Sequence, residues 1–215
     1  MMKFQEEMTE LRRCTMNMAS LTASMVERSI DVLLDLDLEG AERMVDDFTK
    51  VDRLDRKIEE SAIRILTLYQ PMASDMRAVA TYMKSITYME RIAKYCKNIA
   101  VAAQYLKDKP TYDVCECLRL MGNTAAEMVR IVIDGLMNAS VDGFDRITDM
   151  DNILDDALRH DMKKIIDFIT TCPESADVCT YYISVMKFIE RIGDHACKIA
   201  EKVTFMVTGF HAIIE

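Results

Sequence analysis

Tryptophan is absent from this 215-residue chain, and proline, glycine and histidine are scarce at three, six and three residues. So few breakers leave little material for turns, which excludes collagen-like, loop-rich and low-complexity architectures. No run of about 18 apolar residues occurs, and the opening MMKFQEEMTELRR has no apolar core of the signal-peptide kind. A soluble, cytoplasmic chain is expected, peripheral to a membrane at most. An excess of positive charge is missing too: 27 basic residues face 36 acidic ones for a net charge of −9. Phosphate backbones are held by clustered lysine and arginine, so a nucleic-acid partner is not expected.

The seven cysteines are odd in number and scattered, which fits neither a disulfide framework nor paired zinc knuckles. Cys115 and Cys117 are close in sequence, but one intervening residue puts them about 200° apart on a helix, so they would not chelate together. No P-loop, glycine-rich nucleotide fingerprint or supported Ser/His/Asp arrangement is present. Helical di-iron enzymes use paired ExxH motifs, yet Ala157, Ile192 and Thr208 stand three residues before His160, His195 and His211. Catalysis is not expected.

What the chain does contain is a duplication. Tyr82–Ala100 reads YMKSITYMERIAKYCKNIA and Tyr182–Ala200 reads YISVMKFIERIGDHACKIA. At an offset of 100 they share Tyr82/Tyr182, Glu90/Glu190, Arg91/Arg191, Ile92/Ile192, Ile99/Ile199 and Ala100/Ala200. Two similar units follow, residues 1–108 and 109–215, separated at the KDKP linker. Each reads as three long amphipathic helices: about 6–36, 38–69 and 74–106, then 113–138, 141–171 and 174–208. Gln70-Pro71 and Cys172-Pro173 provide stops, and Ser74 a start. The predicted fold is all-α, two tandem, similar three-helix bundles forming an elongated molecule. Among the 18 methionines, Met8, Met16, Met18, Met25, Met83, Met137, Met162 and Met186 are expected mainly as adaptable core fillers rather than a partner-binding surface.

Carboxylates interrupt the apolar pattern of the second unit. Asp151, Asp155, Leu158, Met162, Ile165 and Ile169 alternate by four and three residues, as do Ile183, Met186, Glu190, Gly193 and Cys197, with Asp194 one turn beyond Glu190. Four acids directed into one bundle repel one another and resist desolvation unless protonated, paired or neutralised by a cation. Two readings compete here: a metal site, or seam-edge acids paired with Arg159, Arg191 or Lys198.

The stretches LYQPMASDMR (Leu68–Arg77) and ERIGDHACKIAE (Glu190–Glu201), with an aspartate pair in the second helix of each half, resemble the PhoU family across essentially the whole chain. The resemblance implies a non-enzymatic cytoplasmic regulator of phosphate uptake. Such a protein would negatively regulate the phosphate ABC transporter and the phosphate-starvation response, including its transcription. Its partners would be the transporter ATPase subunit and a membrane sensor histidine kinase. It also implies a metal ion or cluster, iron first with manganese, zinc, magnesium and nickel as alternatives, on Asp151, Asp155, Glu190 and Asp194. His195 is a weaker candidate ligand, as are Asp52 and Glu90 in the first unit. There the motif's remaining positions fall on Phe48 and Lys94, and Lys94 is expected to pair with Glu90 in place of a metal. Asp55 and Glu59 continue the acidic seam from Asp52. A homodimer is compatible with the broad faces of such bundles. Alternatives are a PhoU-like adaptor of another anion transporter without metal, and a purely structural scaffold.

Overall fold

The computed structural model describes residues 2–109 and 115–214. Six long helices build it: α1 (Met2–Leu34), α2 (Leu38–Tyr69), α3 (Ala73–Leu106), α4 (Cys115–Asn138), α5 (Ile147–Thr171) and α6 (Ala176–Thr208). Single 3₁₀ turns, Phe144–Arg146 and Pro173–Ser175, lead into α5 and α6. No strand occurs among the described residues. A helix of 33 residues such as α6 is about 50 Å long, so each bundle is a rod.

Local chemistry sets most boundaries. Asp37 caps α2, its carboxylate accepting from the Gly40 amide at 2.9 Å, and Gln70 ends that helix in the left-handed region before Pro71. Gly209, at φ +79°, performs the same turn after α6. Two expected starts are corrected. Helix α5 begins at Ile147 rather than near residue 141, because Gly143 turns the chain at φ +81° and buries Phe144 before the helix is entered. Ser74 lies inside the first turn of α3, whose N-cap is Met72 with no side-chain bond. The expected start of α4 near residue 113 and Pro110 of the linker lie outside the described residues.

Helices α1, α2 and α3 pack on one another, as do α4, α5 and α6. The two bundles are joined mainly through α3 against α6, and also through α1 against α4, leaving α2 and α5 as outer flanks. Burial follows this placement. Helix α6 buries 16 residues between Val178 and Met206, whereas α5 fully buries only Ile147, Leu154 and Ile165. Most of the singled-out methionines are core: Met18, Met25 and Met186 are fully buried, and Met8, Met16, Met83 and Met137 pack against them.

Candidate metal centre

The acids lie where α5 crosses α6. The apolar stripe of α5 is centred on Ile147, Leu154 and Ile165, so the predicted seam through Asp151 and Asp155 is shifted to the stripe's edge. Asp151 is half-buried there and Asp155 is exposed. Across from them Glu190 and Asp194 are half-buried on α6. Gly193 makes the approach close: a Cβ at this position would stand 2.5 Å from Leu154 Cδ1 and 3.4 Å from Asp151 Oδ1. Its part was not recognised from the sequence, although a glycine inside a long helix, between two acids, was a visible signal.

Three of the four carboxylates are shifted by burial and by acidic neighbours in the group. Burial, and then the charges of Asp194 and Asp155, push Asp151 upward in pKa, against a hydrogen bond from the Cys197 thiol and the charge of Lys198. Glu190 is raised by burial and by Asp194, Asp155 and Asp151, with Arg191 opposing. Asp194 is raised by burial and by Asp155, although Arg191 and Lys198 pull it down. Only part of this repulsion is answered within the protein: Arg191 reaches Glu190 at 3.5 Å with its own side chain largely in solvent. Among the described residues, no three His, Cys, Asp or Glu side chains stand close enough together to enclose an ion. In donor chemistry the group, being carboxylate oxygens, is of the kind that suits a hard cation.

His195 faces away from solvent beside this group. Its ring lies against Tyr88 and Tyr95, with centroids at 5.7 and 5.8 Å, and its Nε2 is buried without a hydrogen-bond partner. Burial, reinforced by the charges of Arg91 and Arg191, lowers its pKa to about 4, so the ring is neutral at physiological pH. Tyr88, Arg91, Asp151, Asp194, His195, Cys197, Lys198 and Ile214 line an open cleft of about 450 Å³.

A PhoU domain model matches residues 15–103 and again 118–203, one copy on each bundle. The chain belongs to the PhoU family. It is similar to phosphate-specific transport system accessory protein PhoU homologs of Zymomonas mobilis, 30% identical over 96% of this chain and 87% of that protein, and of Rhizobium meliloti, 30% identical over 97% and 89%. Among solved structures, PhoU from Pseudomonas aeruginosa superposes with a TM-score of 0.92 at 25% identity, covering 96% of this chain and all of the other. The Streptococcus pneumoniae regulatory protein PhoU shares the fold, with a TM-score of 0.87 at 24% identity. No helix among the described residues is long and apolar enough to cross a membrane.

The first PhoU repeat answers the same geometry differently. Burial aligns Met44 with Ile147, Val51 with Leu154 and Ala62 with Ile165, which puts Phe48 opposite the position of Asp151 and Asp52 at that of Asp155. Lys94 is exposed and makes no ion pair with Glu90, contrary to expectation. The cation that matters is Lys97, whose Nζ lies 4.5 Å from the centre of the Phe48 ring. Lys97 occupies the position of Cys197, so an aromatic–ammonium contact replaces the carboxylate–thiol contact of the second repeat. Asp52 is held by Arg56 at 2.8 Å. Asp55, pushed upward by burial and by Glu59, Glu90 and Asp52, marks an acidic group one turn farther along α2.

Proposed function

We propose that this chain is a regulatory accessory protein of phosphate uptake. It works in the cytoplasm, restraining the phosphate ABC transporter and the phosphate-starvation response, with its transcriptional output, when phosphate is plentiful. Its partners in this reading are the transporter's ATPase subunit and a membrane sensor histidine kinase, docked on the exposed helical faces, and the chain itself catalyses nothing. The observation that carries the reading is the similarity of both repeats, over nearly the whole chain, to accessory proteins named for the phosphate-specific transport system.

The metal belongs to the same proposal. Asp151, Asp155, Glu190 and Asp194 would hold it, with iron first and manganese, zinc, magnesium or nickel as alternatives; His195, Asp52 and Glu90 are weaker candidates. A bound cation would supply the positive charge that the carboxylates lack and tie α5 to α6. In the protein itself, Gly193 keeps the two helices at carboxylate range and Arg191 competes with the cation for Glu190. Two measurements test the reading. Deletion of the gene is expected to derepress phosphate-starvation genes in phosphate-rich medium, and unchanged expression and uptake would end the phosphate assignment. Elemental analysis of untagged protein is expected to find stoichiometric metal that a Glu190→Gln/Asp194→Asn variant loses.

A second reading keeps the adaptor but changes its client to another anion transporter, with no metal. The replacement of two acidic positions by Phe48 and Lys94, and the existing contact of Arg191 with Glu190, favour it. It predicts no metal in either protein and a normal phosphate response in the deletion strain.

A further inference from the structure

We propose that residues 210–214 form a strap that folds back along α6 and shields the cleft beside Asp151 and Asp194. After Gly209 reverses the chain, the Phe210 amide donates to Thr208 Oγ1 at 3.1 Å. The His211 ring then stacks on Phe205, with centroids 4.3 Å apart and planes within 4°. The Ile214 amide donates to Glu201 Oε1 at 3.4 Å. Glu201 lies seven residues before the end of α6, so the segment returns about 10 Å along the helix. Ile214 thereby lines the same cleft as Asp151, Asp194, His195 and Cys197.

The anchor is built rather than incidental. Glu201 is 7% exposed, and Lys198 and Lys202 donate to its oxygens at 2.9 and 3.3 Å. A carboxylate buried to this degree needs such partners, and the Ile214 amide is among them. The contacts described for the strap are few and local: the hydrogen bonds between Phe210 and Thr208, one ring stack, one amide bond to the anchor and the apolar cover of Ile214. Segments held in this way open without global unfolding. The PhoU domain model stops at residue 203, ahead of the strap. It rests on the proposed function only in supposing that the acids under the cleft have a ligand whose entry and exit the strap slows.

Access to the cleft can be read without any metal, because Cys197 is buried in its wall. In the metal-free protein under native conditions, N-ethylmaleimide labelling followed by peptide mass spectrometry reports each cysteine separately. Ending the chain after Gly209 is expected to accelerate labelling of Cys197 at least about tenfold, with Cys96 and Cys179 unchanged. The full-length His211→Ala/Ile214→Ala protein is expected to show a smaller rise at the same cysteine. An unchanged rate at Cys197, or an equal rise at all three cysteines, would overturn the strap. Release of bound Mn²⁺ to a chelator is expected to quicken in parallel. If neither protein holds Mn²⁺, manganese is removed from the candidate metals while the labelling still decides the strap.

Discussion

In the second repeat a carboxylate, Asp151, faces the Cys197 thiol; in the first, the matching pair is the Phe48 ring under the Lys97 ammonium. The backbone frame is shared, since Val51 and Leu154 occupy equivalent buried positions on the flanking helices. What differs is how charge at that frame is balanced. The first repeat carries its own cation, with a ring for it to sit on. The second leaves three carboxylates, Asp151, Glu190 and Asp194, raised in pKa by burial and by acidic neighbours. Duplication has thus preserved packing while letting electrostatics diverge. Both repeats keep acids raised in pKa by burial and acidic neighbours, Asp55 in the first and Asp151, Glu190 and Asp194 in the second, and the second gathers more of them where α5 meets α6.

The comparison can be broken most forcefully at Leu154, fully buried where α5 meets α6. Leu154→Ala is expected to lower unfolding free energy by about 2–5 kcal/mol through lost burial and a cavity. Hydrogen exchange should then quicken in α5 before α2; equal loosening of both flanks would show that the repeats do not respond separately. Gly193→Val comes next, because its side chain meets Leu154 and Asp151. A loss of about 1–3 kcal/mol by denaturant unfolding is expected, with part of it restored by Leu154→Val as a second change. Failure of that rescue would mean that the close approach of α5 and α6 does not set the cost.

A smaller effect follows from the raised carboxylates. A folded-state pKa above the unfolded one means that the native protein binds the proton better. The ionised acids therefore penalise folding at neutral pH, and the penalty fades as pH falls through the raised values. Metal-free Asp151→Asn/Asp194→Asn protein is expected to be more stable than the parent by about 0.5–1 kcal/mol at about pH 7, a figure kept low because these groups are partly solvated. The difference should shrink toward about pH 4, and added cation should reverse its sign by stabilising only the parent. A constant difference across pH would remove electrostatic repulsion as its cause. The smallest change is expected from Lys97→Ala, about 0.5–1 kcal/mol from the lost ring contact. In a double-mutant cycle with Phe48→Leu the coupling should equal most of that loss.

The architecture was readable because long helices and their breaks are local matters. The Gln70-Pro71 stop, the repeat at an offset of 100 and the apolar periodicity all survive into the structure. The site was readable only as residue types. Periodicity put Asp151 and Asp155 on a buried seam, but the chosen phase was off by about one residue; the stripe passes through Leu154 and leaves Asp155 exposed. The pattern could not separate these phases, because α5 carries apolar residues on adjacent faces and its partners decide which face is covered. Lys94 was likewise read by its i,i+4 spacing from Glu90, whereas Lys97 finds Phe48 on a different helix, a contact that no local spacing encodes.

By itself the sequence determined that the chain forms helices, where they stop, that they come in two similar sets, and that acids cluster in the second. Those properties depend on backbone conformation and side-chain type within a few residues. Tertiary structure alone decided which acids are half-buried, that Gly193 brings α5 within reach of α6, that Lys97 serves the first repeat, and that residues 210–214 return along α6 to Glu201. Burial and mutual charge depend on distances between helices, and those distances are set only when the faces pack.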